Sequence, residues 1–266
     1  MNRPPHFLAS ALTAGVLLSA AACVNGEGGR EGGGDQGSAK AAASPVAEES
    51  AAASPTAPAP ALTDPQARAA LIGSSDLGEQ WAATKGGATW RDALLKGSAD
   101  VADCQRLLDG LYAEDLLGEP KGARAVTGFD ESDNEAQLRY QVAAYGGQAD
   151  VDAKLAWLRT LPDKCGRFTA TDVRGGRQTV QVGRAALPGV GDAREGLRMT
   201  VSGELDGEAT TLTLDFAAAR VGDRAVSLTN GGLGGAEGDT TKQAVTLGTQ
   251  RLQDVLAGRP PATQQG

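Results

Sequence analysis

Between Ala136 and Tyr145 the chain alternates, with Leu138, Tyr140, Val142 and Ala144 pointing one way and Arg139, Gln141 and Ala143 the other. A period of two is the mark of a half-buried strand. Its partner is Arg124 to Phe129, and the polar run Asp130 to Glu135 is the loop of the hairpin. Alternation returns downstream as a meander, with strands at Thr179 to Val182, Gly196 to Leu205, Ala209 to Ala218 and Arg224 to Thr229. Asp206-Gly207 and Gly222-Asp223 join them, and Asp-Gly between alternating runs is a strong hairpin signal.

Helical spacing fills much of the rest. Thr63 or Asp64 caps a first helix, with Pro65 in its first turn, Ala67, Leu71 and Ile72 on one side, and Gly73 as its stop. From about Asp103 to Leu117, Cys104, Leu107, Leu108, Leu111 and Tyr112 follow the helical stripe of i, i+3, i+4, i+7 and i+8. A third helix from Asp150 to Leu161 carries Val151, Leu155, Trp157 and Leu158 and is closed by Pro162. A last one from Thr240 to Leu256 lines up Val245, Gly248, Leu252, Val255 and Leu256. Helices flanking a twisted, mainly antiparallel sheet make a single domain of the α+β class over residues 62–258.

The segment before this domain has a different pattern. Met1-Asn2-Arg3 is a short basic start, and Phe7 to Ala22 is uncharged and rich in Ala and Leu, the form of a secretory signal peptide. The apolar run is shorter than the roughly 20 residues a membrane-spanning helix needs. Leu18-Ser19-Ala20-Ala21-Ala22-Cys23 resembles a bacterial lipobox, with Ala20 standing where Leu is usual. That assigns residues 1–22 to a lipoprotein signal peptide and makes Cys23 the site of diacylglycerol attachment. The alternative is ordinary Ala-x-Ala cleavage, which leaves Cys23 a free thiol. Two acyl chains hold a protein stably to a membrane where one does not. From Val24 to Ala61 there is no aromatic residue, Leu or Ile, so this Gly-, Ala-, Ser- and Pro-rich stretch is expected to be a disordered tether. Residues 259–266 are expected to fray as a flexible tail.

Composition narrows the chemistry. The only histidine is His6, inside the signal segment, so the mature chain carries no imidazole. Ser-His-Asp and Cys-His nucleophiles, HExxH zinc sites and histidine bases are thereby excluded. With 25 Lys plus Arg against 33 Asp plus Glu and no basic run, nucleic acid is not an expected partner. Of the 3 cysteines, lipidation of Cys23 leaves Cys104 and Cys165 as a pair. Export to an oxidising space favours a disulfide between them, the alternative being two buried free thiols. Two thiols without histidine leave a zinc site short of ligands, so no metal is expected.

No other motif supplies a catalytic residue or a cofactor site. Gly73-Ser74-Ser75-Asp76 has Leu77 where a nucleophile elbow needs Gly, so it reads as a helix stop and turn. Ser132-Asp133-Asn134 lacks the Ser-x-x-Lys and Lys-Thr-Gly that would make it a serine-transferase fragment. In the same loop Glu135 and Gln141 occupy the positions where a calcium turn needs Gly and a bidentate Glu. The glycines from Gly231 to Gly238 fit no phosphate-binding pattern. Trp81, Trp90, Tyr112, Tyr145 and Trp157 either line a cleft or belong to the core. Arg139, Gln141, Thr200, Ser202, Thr211, Thr213 and Ser227 on the outward sides of strands either floor a binding cleft or form a solvated face.

The order of elements resembles a family of extracellular sensor-domain-like proteins of actinobacteria, typified by the outer domain of mycobacterial serine/threonine protein kinase H and shared by many lipoproteins. The residues that carry it are Leu71-Ile72-Gly73-Ser74-Ser75-Asp76-Leu77 with Trp81, then Cys104 opening a helix. Leu155-Ala156-Trp157-Leu158 running into Lys164-Cys165-Gly166-Arg167-Phe168 follows, then Pro188, Gly191-Asp192 and Arg220-Val221-Gly222. The resemblance implies a twisted antiparallel sheet with packed helices and an open cleft for an unidentified ligand or partner. The kinase relative has two disulfides in this domain, and this chain has cysteines for one.

The expectation is an extracytoplasmic lipoprotein, anchored on the outer face of the cytoplasmic membrane, whose domain binds a small ligand or an envelope protein without catalysis or cofactor. A histidine-independent hydrolase using paired carboxylates and a structural envelope lipoprotein are the alternatives. A binding module predicts a concave, part-apolar cleft, an enzyme predicts convergent acids within it, and a structural protein predicts neither.

Overall fold

The computed structural model describes residues 61–261. The signal segment, Cys23 and nearly all of the tether lie outside the described residues, as does the end of the tail. The elements in chain order are α1 (Asp64–Ala69), a 3-10 turn (Ser74–Asp76), β1 (Trp81–Ala83), α2 (Trp90–Leu94), β2 (Gly97–Ser98), α3 (Ala102–Ala113), β3 (Arg124–Glu131) and β4 (Gln137–Ala144). They continue with α4 (Gln148–Lys164), β5 (Arg167–Asp172), β6 (Arg177–Arg184), β7 (Ala193–Leu205), β8 (Glu208–Val221), β9 (Arg224–Gly232) and α5 (Gly238–Leu256). Among the described residues no helix is long and apolar enough to cross a membrane.

All nine strands form one sheet in the order β1-β3-β4-β9-β8-β7-β6-β5-β2, with every neighbouring pair antiparallel. The α+β architecture is the expected one. After the β3-β4 hairpin, α4 carries the chain across one face, and β5 to β9 then step back until β9 pairs with β4. Asp206 and Gly207 both have positive φ, 52° and 86°, as the tight β7-β8 turn requires.

The helices sit on both faces. On one, α2, α3 and α4 cover the β5-to-β8 half, and their core joins Leu107, Leu108, Leu111, Leu155, Leu158 and Leu161 to Val180, Val201, Leu212 and Leu214. On the other, α1 and α5 cover β3, β4, β9 and β8, enclosing Leu138, Tyr140, Val142, Leu228, Val245 and Leu252. Gly248 of α5 rests against the Tyr140 ring, where a Cβ would collide with the phenol. The Tyr140 hydroxyl donates to Ala70 O at 3.3 Å.

Several sequence expectations move. α1 ends at Ala69, and Gly73 is not its stop: the Gly73 N–H donates to Asp76 Oδ2 at 2.6 Å within the 3-10 turn. Asp76 also holds Arg251 of α5 through contacts of 2.7 and 2.8 Å, so this short motif is a buried anchor between two elements. α4 runs through Pro162 to Lys164, because fully buried Leu158 and Leu161 and the Cys165 N–H, bonded to Leu161 O at 2.6 Å, outweigh proline's lost hydrogen bond. β5 has no sequence signal: of its six residues only Ala170 is buried.

Cys104, in the first turn of α3, and Cys165, at the end of α4, form a disulfide with a Cα separation of 5.6 Å. Beside it Asp103 accepts from Lys164 Nζ at 2.7 Å and from Trp157 Nε1 at 2.8 Å, bonds that hold its carboxyl below the usual range. Arg106 stacks on the Trp157 ring at 3.8 Å from its centroid.

Candidate functional site

The helices on the α3 side stop short of β3 and β4, leaving part of the sheet bare. Register dictates what is displayed there, since residues aligned across strands share a face. One row is Gly128, Arg139, Thr229 and Phe216, and the next is Val126, Gln141, Ser227 and Ala218. The end of α3 rises beside these rows as a wall of Gly110, Glu114 and Leu116. Wall and floor enclose a cleft of about 250 Å3, near the lower end of the roughly 300–1,000 Å3 of small-molecule sites.

The wall depends on how α3 ends. The sequence stripe reads helix as far as Leu117, but the helix stops at Ala113 and Glu114 takes a left-handed backbone with φ 60°. The Asp115 N–H then bonds Gly110 O at 3.0 Å, and Leu116 folds back against Gly110, where a Cβ would meet Leu116 Cδ1 at 2.9 Å. A left-handed conformation costs a non-glycine residue roughly 1–2 kcal/mol. What it achieves here is to aim the Glu114 carboxylate across the cleft mouth.

Glu114 Oε1 accepts from Arg139 Nε at 2.7 Å and lies 3.3 Å from Arg91 Nη2. Arg91 also donates to Leu111 O at 3.1 Å and Tyr112 O at 2.7 Å. Burial lowers the Arg91 pKa, and the Glu114 charge opposes that shift. The Arg139 side chain lies over Gly128, where a Cβ would collide with Nη1. Arg124, one row beyond Gln141 and opposite Ala143, donates from Nε to Gln141 Oε1 at 2.7 Å, and Gln141 Nε2 reaches the Tyr145 hydroxyl at 3.4 Å. Burial pushes the Tyr145 phenol up to about 12.

Several polar groups in the cleft remain uncommitted. Among the described residues the terminal amino groups of Arg124 and Arg139 make no hydrogen bond, and neither does the hydroxyl of Ser227, a residue only 9% exposed. Val126, 56% exposed, and Phe216 supply apolar surface. Glu114 is the one carboxylate in the lining, and both of its neighbours are arginines. A second acid to pair with it, and a base beside Ser227, are missing from the lining. Among the described residues no group of three or more Cys, His, Asp or Glu is placed to hold a metal ion.

Of the outward-facing residues singled out in the sequence, Arg139, Gln141 and Ser227 meet in this cleft. Thr200, Ser202, Thr211 and Thr213 do not join them, because they alternate with Met199, Val201, Leu212 and Leu214 of the first core and so face the other side of the sheet. None of Trp81, Trp90, Tyr112, Tyr145 and Trp157 lines the cleft: Trp81, Trp90 and Tyr145 are buried in the two cores, and Tyr112 and Trp157 pack against one of them. Glu114, Arg124, Thr229 and Phe216 had no local signal; only the register of β4 and β9, extended outward from Arg139 and Ser227, would have pointed to them. Cys104 and Cys165 are joined, while Cys23 is outside the described residues.

No family model matches the chain. No curated protein matches it either. Among solved structures the chain is similar to the extracellular domain of PknH from Mycobacterium tuberculosis, with 14% identity and a TM-score of 0.43. The alignment covers 76% of this chain and 100% of that domain, and the likeness is a weak one of fold alone.

Proposed function

We propose that the chain is an extracytoplasmic lipoprotein of the cell envelope whose domain holds a ligand in the α3 cleft without acting on it chemically. The observation that carries this reading is the cleft itself: a concave, part-apolar space whose polar lining offers unspent hydrogen-bond donors and a single carboxylate already paired with arginine. A carboxylate-based hydrolase needs two acids converging on one bond. Anchoring rests on the sequence, through the apolar leader and the lipobox-like stretch ending at Cys23. The Gly-, Ala-, Ser- and Pro-rich segment between Cys23 and Leu62 would hold the domain away from the membrane.

Native mass spectrometry of the chain recovered from its own cell envelope tests the binding role. A defined extra mass is expected, and a clean apo mass would move the reading to a protein partner, to be sought by cross-linking on intact cells. Replacing Cys23 by Ser is expected to move the protein from the membrane fraction to the medium. Retention of that variant at the membrane would remove the anchor.

A further inference from the structure

The lining of the cleft is biased in charge against the rest of the molecule. The chain carries a formal charge of −8, yet the cleft presents Arg124 and Arg139 against one acid, Glu114, with Arg91 buried behind that acid. Each cleft arginine is held at Nε alone, Arg139 by Glu114 and Arg124 by Gln141. Both forks are thereby fixed in orientation while their terminal N–H groups stay unbonded among the described residues. That is the arrangement that suits a two-oxygen acceptor, since a planar guanidinium donates in parallel to carboxylate or phosphate oxygens.

A second, independent feature points to the same ligand. Ser227 stands beside Gln141 in the register, is 9% exposed, lines the cleft, and its hydroxyl has no partner among the described residues. The residue is nearly buried but its hydroxyl opens onto the cleft, free to bond a molecule that enters. Phe216 lies on the row of Arg139 and exposed Val126 on the row between Arg139 and Arg124, and both offer apolar contact to whatever enters.

We propose that the cleft binds a small amphiphilic anion, its carboxylate or phosphate head held by Arg139, Arg124 and the Ser227 hydroxyl and its short apolar part against Phe216 and Val126. The inference rests on the reading of the cleft as a ligand site and names the chemistry that site accepts. Glu114 then has a defined role: it holds Arg139 over Gly128 before the ligand arrives, and its own charge moderates how tightly the anion is held.

The test titrates the full chain with eight-carbon probes that differ in their heads, octanoate, octyl phosphate, octanol and octyltrimethylammonium, with inorganic phosphate as a tail-free control. Binding is followed calorimetrically and by amide NMR shifts. Octanoate or octyl phosphate should bind with shifts at β3, β4 and β9, weaken as salt rises, and exceed octanol and the cation by about tenfold or more. The tighter of the two anions identifies the head group. Arg139→Gln should reduce that affinity by about tenfold to a hundredfold, and it leaves Glu114 paired with Arg91 so that no buried carboxylate is orphaned. Arg124→Gln, at an exposed position, is the second variant should the first fail to fold. Equal binding of octanol or the cation at the same strands would overturn the anion class while leaving the cleft as a ligand site. Inorganic phosphate binding as tightly as octyl phosphate would remove the apolar half of the proposal. No shift at these strands with any probe would overturn both readings.

Discussion

Each face of the sheet has one half under helices and one half bare, and the two bare halves differ in kind. Over β6, β7 and the near end of β8, on the α5 side, the surface shows Thr179, Thr200, Ser202, Thr211 and Thr213, with the Ser202 and Thr211 hydroxyls 3.2 Å apart and paired with each other. Over β3, β4 and β9, on the α3 side, hydroxyls of the same type stand next to two arginines and under the folded-back end of α3. The glycines repeat the contrast. Gly183 on the polar half has nothing within 4 Å of where its Cβ would be, whereas Gly128 in the cleft is overlaid by Arg139. Hydroxyls on a strand do not make a site; a wall and oriented donors with unspent capacity do.

The most disruptive way to break this contrast is to release the wall. Cys104→Ala with Cys165→Ala opens a loop spanning a sequence separation of 61, and the chain-entropy model puts the lost stability at roughly 4 kcal/mol. Urea unfolding should show that loss, with native-state amide shifts at α3, at the end of α4 and at the cleft wall.

Alkaline pH acts from behind the cleft. Burial raises the Tyr145 phenol from its ordinary 10.0 to about 12, so between those values the unfolded chain gives up a proton the folded chain keeps. Stability is therefore full below about pH 10 and falls as the pH rises towards 12, by on the order of 2 kcal/mol from this group. Burial raises Tyr140 as well and extends the decline. Tyr145→Phe should make the fall between pH 10 and 12 shallower in a series of denaturant midpoints.

A matched pair of glycine substitutions compares the halves directly. Gly128→Ala pushes a Cβ into Arg139 and to within 2.9 Å of Thr84 Cγ2, which should destabilise by about 1–2 kcal/mol and weaken anion binding. Gly183→Ala meets open space and should stabilise by about 0.5–1 kcal/mol through the unfolded state. Equal shifts in thermal midpoint for the two variants would erase the distinction. Smallest of all, Thr213→Val on the solvated half should change stability by less than about 0.5 kcal/mol and leave ligand binding unchanged, whereas Ser227→Ala should weaken binding at similar stability.

The hairpin of β3 and β4, the β7-β8-β9 meander and the stripes of α3 and α5 were all legible in the chain, because period and turn chemistry are local. β5 was not, since a strand with one solvated face at the sheet margin carries little apolar alternation. The reach of α4 through Pro162 was not, because its last turn is held by packing and by the partner of Cys165 rather than by propensity. The early end of α3 escaped as well: Leu116 and Leu117 continue the apolar pattern, and only the contact of Leu116 with Gly110 turns the chain back.

By itself the sequence determined the α+β class, the absence of any histidine beyond His6, the pairing of two cysteines as the favoured use of them, and the existence of outward-facing polar positions. Which of those positions face one another was decided only by tertiary structure. A period of two separates the two faces of a strand but does not say which helix covers which face, or where along the sheet the cover ends. That depends on the register of β4 with β9 and on the backbone at Glu114, contacts between residues far apart in the chain that no local pattern encodes.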